Sequence, residues 1–144
     1  MALDQNLVGA KLEGLEKTLE EMLIQPDQFK VPDRPGRDIE VRSVHKLPAK
    51  MGLSPLGQQK LLHDLANIEL QAMELGLRTL IEFPWTPLEF RQELVEITLQ
   101  EAKHLEKCLE SLESLGGYWG QWPVHMGLWE ATSPSDSLLQ RLFI

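Results

Sequence analysis

The sequence predicts an all-α protein built around two long antiparallel helices. Three observations predict it. Apolar residues recur at three- and four-residue spacing over residues 3–24, 55–82 and 86–115, helix start and stop signals stand at the borders of those stretches, and nothing alternates with the period of a strand.

Taken in order, residues 3–24 carry Leu12, Leu15, Leu19, Met22 and Leu23 at helical spacing, and Pro26 ends the pattern. An N-terminal amphipathic helix is therefore expected within residues 1–25. Residues 26–54 are rich in proline and lack a sustained period, which reads as an extended wrap. It contains Arg34, Arg37 and Arg42, which are either solvated loop arginines or a site for an anion or partner. Ser54 followed by Pro55 is a helix start, the hydroxyl capping free amides and the proline pre-set for the first turn. The helix should run to about Glu82. After the breaker FPWTP, the run T-P-L-E at residues 86–89 suggests a capping box in which Thr86 and Glu89 satisfy each other's backbone amides. A second long helix runs to about Leu115, closed by Gly116 and Gly117. An aromatic loop, YWGQWPVHMGLW, follows, and SPSDSLLQRLFI reads as the start of a third long helix. Residues 55–144 thus form part of a bundle.

A formal net charge of −8 argues against a phosphate-binding surface, so no nucleic-acid partner is expected. The single cysteine, Cys108, excludes an intrachain disulfide, and no leader-like or membrane-spanning apolar run stands out. The expected location is the cytoplasm.

Inward stripes are expected at Leu62, Leu65, Glu69, Met73, Gly76 and Leu80 on the first long helix, and at Leu94, Thr98, Glu101, Leu105, Cys108 and Leu112 on the second, with His104 beside it. Glu69 lies 16 residues before Trp85 and Glu101 lies 16 after it, so an antiparallel pair brings both carboxylates to nearly one height. No lysine or arginine occupies either stripe at that level. A buried carboxylate without a partner is costly, so metal ligation by Glu69, Glu101 and His104 is favoured over a buried hydrogen-bonded network. Glu-x-x-His alone is a weak motif in a chain with 16 glutamates; the matching Glu69 gives it weight. Helix bundles hold two metal ions with a Glu on each of two helices and Glu-x-x-His on each of the others, and this chain contains half of that set. His63 is expected at the surface, His45 in a loop, and Cys108 as a small apolar group.

The runs LLHDLANIELQAMELGLRTL and LQEAKHLEKCLESLESLGGYWGQWPVHMGLWE, with VPDRPGR and SPLG before them, resemble a bacterial ferritin-like family catalogued as a domain of unknown function. That family is related in architecture to dimetal-carboxylate proteins such as the tRNA hydroxylases. The resemblance covers roughly residues 30–144. It implies the N-terminal part of a ferritin-like four-helix bundle, with Glu69, Glu101 and His104 matching the first three metal ligands. Asn67 stands where the family pattern has a histidine, and the helices carrying the remaining ligands are absent from these residues. Pro123, His125, Gly127, Leu128 and Trp129 match the family's Pro-x-His-x-Gly-Leu-Trp signature, which makes His125 a candidate for contact with a substrate.

Two functions follow as expectations. The first is an iron or manganese carboxylate protein, dinuclear if the site is completed, oxidising or hydroxylating an unknown small molecule or storing metal. The second is a metal-free helical module that associates through its open bundle face. Completion requires either a missing C-terminal segment, favoured by the uncapped apolar end at Leu142, Phe143 and Ile144, or a homodimer. Either route requires this chain to associate as it stands.

Overall fold

The computed structural model describes residues 1–47 and 51–143; residues 48–50 of the expected wrap and Ile144 of the expected third helix lie outside them. The described residues are all-helical, with no strand. Two long helices, α3 (Pro55–Glu82) and α4 (Leu88–Ser114), pack against each other along most of their length. Around them lie α1 (Val8–Glu13), α2 (Leu15–Ile24), α5 (Gly127–Glu130) and α6 (Leu138–Leu142).

The expected N-terminal helix is divided. Its first turn, Ala2–Asp4, is a separate 3-10 turn, and α1 gives way to α2 at Gly14. Glycine is the poorest helix former after proline, which is why the break falls there. The apolar face is kept: Leu15, Leu19 and Met22 are buried, and α2 stops before Pro26 as its pattern requires.

Ser54 caps α3, its hydroxyl accepting from the Gly57 amide at 3.1 Å. The expected capping box at Thr86 does not form. Pro87 is the first residue of the α4 cap, and the Thr86 hydroxyl instead donates to the Phe83 carbonyl at 2.8 Å, tightening the inter-helix turn. At the other end Gly116 takes φ +81°, a left-handed conformation open to glycine at little cost, and the Gly117 amide donates to the Leu112 carbonyl. The start of the last helix is as expected in kind, with Ser137 and Gln140 forming a reciprocal capping box.

The core lies on one side of the α3–α4 pair. Leu70, Met73 and Leu77 of α3 and Ala102 and Leu105 of α4 meet Leu15, Leu19 and Met22 from the N-terminal helices and Met126 and Trp129 from the aromatic loop. Leu65, expected in the inward stripe, is 38% exposed. It sits on the edge of that stripe away from the core.

A buried ion cluster ties the periphery to α3. Glu74, wholly buried, accepts from Arg37 Nη1 at 2.6 Å and Nη2 at 3.0 Å, and Lys11 Nζ lies 3.4 Å away. Lys11 also donates to the carbonyls of Ala2 and Leu3. Burial pushes its ammonium below the ordinary lysine range, against the pull of Glu74. Arg37 is therefore neither a solvated loop arginine nor an open anion site. Arg34 pairs with Glu130 and Arg42 with Glu40 at the surface.

The aromatic loop is anchored on the flank of α3. His63, expected at the surface, is fully buried: its ring stacks on Trp119 and meets Trp122 edge-on, and its Nε2 accepts the Gly120 amide at 3.1 Å. His45 lies in an exposed 3-10 turn, Val44–Lys46. Trp119 Nε1 donates to Asp38 and Trp129 Nε1 to the Asp33 carbonyl, so both rings also hold the wrap.

Two measurements test this packing. Glu74→Ala leaves two buried cations without their carboxylate and is expected to cost about 3–5 kcal/mol in urea melts, against less than about 0.5 kcal/mol for exposed Glu113→Ala. Burial, opposed by Asp64 and assisted by Lys60, pushes the His63 pKa from 6.5 down to about 4. The folded state then binds this proton less readily than the unfolded chain. The stability contributed by neutral His63 is complete above pH 6.5 and is lost as the pH falls towards 4, by up to about 3 kcal/mol. His63→Gln should flatten that part of the profile relative to the parent chain.

Candidate metal centre

Glu69, Glu101 and His104 come together at mid-height on the seam between α3 and α4. One ligand atom from each can be chosen so that all three lie within 4.8 Å of one another. His104 Nδ1 is 3.2 Å from Glu101 Oε2 and 3.6 Å from Glu69 Oε2. The equal distance of the two glutamates from Trp85 sets this height, because both helices climb by the same rise per residue from one tight turn. Glu101 and His104 share a face because they are three residues apart on one helix.

The approach of the two helices is set by Gly76. A Cβ there would collide with Thr98 Oγ1, so only glycine admits this spacing. Thr98 is itself held, its hydroxyl donating to the Leu94 carbonyl of its own helix at 2.7 Å. Gly76 is two turns beyond Glu69, about 10 Å along the helix, and Thr98 is one turn before Glu101.

The cluster stands at the border of the buried arc rather than inside it. The side chains of Glu69 and Glu101 are 22% and 27% exposed, and that of His104 is 52% exposed. Burial, together with hydrogen bonding to and repulsion by the neighbouring Glu101 carboxylate, pushes the Glu69 carboxyl above its ordinary range, and His104 opposes this. Two carboxylates at this separation lack a full counter-charge. The donor set of two carboxylates and an imidazole suits iron or manganese. Cys108, one turn beyond His104, is half-buried; burial and Glu69 push its thiol up, which keeps it protonated and a poor ligand.

His125 is not brought to the cluster. Its carbonyl accepts from Asn67 Nδ2 and Gln71 Nε2, both at 3.1 Å, and its Nδ1 accepts the Gly127 amide. Asn67 and Gln71 are each two residues from Glu69, roughly 200° around the helix, so His125 lies on the far flank of α3. Gln71 also accepts the amides of Leu128 and Trp129 at the start of α5. This pairing of Asn67 and Gln71 with the loop escaped the sequence reading. Its signal was a stripe of polar residues at helical spacing, Lys60, His63, Asn67, Gln71, Glu74 and Arg78, all of which are buried.

Gly76→Ala is expected to separate the helices, costing about 1–3 kcal/mol through overpacking and weakening any divalent metal held by Glu69 and Glu101. Gly9→Ala, in open space on α1, is the control and should change neither. Thermal melts with and without added manganese read both effects.

An uncharacterised protein of Haemophilus influenzae is 30% identical over 104 residues, a match covering 67% of this chain and 36% of that protein. The chain thus spans about a third of the length of the curated relative it matches. No solved structure matches it. A family model described as "Protein of unknown function (DUF455)" matches residues 4–144, nearly the whole chain. The chain therefore belongs to this family.

Proposed function

We propose that the chain is a ferritin-like, metal-binding protein of the dimetal-carboxylate kind, acting in the cytoplasm as an oxidoreductase or hydroxylase on a small molecule. The observation that carries this reading is the convergence of Glu69, Glu101 and His104 at one height, with burial and the Glu101 carboxylate raising the Glu69 pKa and, among the described residues, no lysine or arginine paired with either glutamate. A divalent cation supplies the missing charge. Glu69 and Glu101 would hold it, and His104 would add a neutral nitrogen ligand. When bound, iron or manganese supplies redox chemistry that no side chain of this chain provides. The chain's own contribution is positional: Gly76 sets the helix spacing, and the Phe83–Pro87 turn sets the register of the two carboxylates.

One observation favours a metal-free network instead. A protonated His104 between the two carboxylates, at 3.2 and 3.6 Å, would itself balance part of their charge. The two readings separate on metal content. Purified without chelator, the protein should carry iron or manganese, and Glu101→Ala should weaken that binding at least tenfold while exposed Glu106→Ala leaves it unchanged. Equal losses in the two variants, or a well-folded protein without metal, would favour the network.

A further inference from the structure

A cavity of about 640 Å³ lies where the wrap meets the last turns of α3 and the short helix α5. Phe29, Val31 and Pro32 of the wrap, Ile81 of α3 and Trp129 of α5 supply its apolar walls, and Arg78 of α3 is its most deeply buried charged residue. Arg78 is nine residues beyond Glu69, two and a half turns of helix, so this part of α3 faces away from the metal cluster. The cavity is therefore on the flank already occupied by the wrap and the aromatic loop, and a cover laid over the seam at Glu69 and Glu101 would not fill it.

Arg78 is 4% exposed and held from several sides. Its guanidinium lies over the Trp129 ring, 4.6 Å from the centroid, Nε donates to Glu82 at 3.1 Å, and Nη1 donates to the Thr132 hydroxyl and the Trp129 carbonyl. Its Nη2 makes no hydrogen bond among the described residues and is not sealed from solvent. A cation whose rotamer is already fixed and whose last nitrogen is free takes an oxygen anion without further ordering. The surrounding charge restricts what that anion is. The lining holds three cations, Lys30, Arg34 and Arg78, and three carboxylates, Asp33, Glu82 and Glu130. Arg34 is already paired with Glu130 and Arg78 with Glu82, so a phosphate or a dicarboxylate would meet three carboxylates with little cationic charge left to offset them. We infer that the cavity binds a small monocarboxylic acid with an apolar body, its carboxylate on Arg78 Nη2 and its body against Phe29, Val31 and Ile81. An apolar cavity of this size with one fixed polar anchor is the usual form of a small-molecule site. The inference does not depend on the metal-binding reading.

Titration of 4-phenylbutyrate, hexanoate and indole-3-acetate into metal-free protein, followed by NMR at the Trp129 indole N–H, tests this. Removing metal first keeps any ion at Glu69 and Glu101 from holding the carboxylate. At least one acid should bind with a Kd of about 1 mM or tighter, and its neutral amide at least tenfold more weakly. Arg78→Gln should bring the acid down to the level of the amide. Ile81→Glu, which adds a carboxylate at a half-buried position of the lining and leaves the hydrogen bonds of Arg78 in place, should weaken the acid at least tenfold with the helical content intact. Lys107→Gln, exposed on α4, should change nothing, and inorganic phosphate should not compete. Failure of all three acids to bind, equal binding of acid and amide, displacement by phosphate, or binding that survives Ile81→Glu would each overturn the inference.

Discussion

The buried carboxylate of Glu74 is the constraint around which the rest of the molecule is arranged. It sits in the middle of α3, and its two cationic partners come from α1 and from the wrap, 63 and 37 residues away in the chain. Such a cluster adds little net stability, because desolvation offsets most of the attraction. Its effect is on placement. An unpaired buried carboxylate is so unfavourable that Lys11 and Arg37 have one acceptable position, and with them α1 and the proline-rich segment are held on one flank of α3. Gly36, next to Arg37, passes so close to Gln5 and Asn6 that a side chain there would overlap them, which keeps the wrap pressed on the N-terminal segment.

Once that flank is closed, the two sides of the α3–α4 pair differ. One receives α2, the wrap and the aromatic loop, and becomes the core. Arg91 of α4 reinforces this by donating to the Met22 carbonyl at the end of α2. The other keeps its leucines and isoleucines in contact with solvent, and Glu69, Glu101 and His104 stand at the border. A cluster in that place is supported on rigid helices from behind and open in front.

The aromatic loop shows how burial of large rings substitutes for secondary structure. Trp119, Trp122 and Trp129 are each engaged by a partner from α3, through His63, Lys60 and Arg78 respectively. Arg78 also hydrogen-bonds Thr132 and Glu82, and Glu82 in turn accepts from Arg141 of α6. The loop and the last helix are therefore docked on α3 by the same kind of contact, a cation over a ring with its hydrogen bonds made to neighbouring carboxylates and carbonyls.

What was legible in the sequence was local. The ends of α3 and α4 follow from Ser54, Pro55, the FPWTP breaker and Gly116, because caps and breakers act through backbone groups within a few residues of themselves. The convergence of Glu69, Glu101 and His104 was legible for the same reason, since a constant rise per residue on both sides of a tight turn converts sequence distance into height. The box at Thr86 failed because Pro87, not Thr86, occupies the cap position of α4, and the Thr86 hydroxyl donates to the Phe83 carbonyl instead. Which flank of each stripe would be buried was decided only by the tertiary structure. Leu65 and Ala66 are neighbours with similar claims to a core, yet only Ala66 is buried, because the helices and loops that cover it come from distant parts of the chain. The same holds for His63, whose burial depends on two tryptophans more than 50 residues away, and for Glu74, whose partners carry no signal in local periodicity. A helical stripe determines that a face is apolar; what lies against that face is set by contacts between residues far apart in sequence.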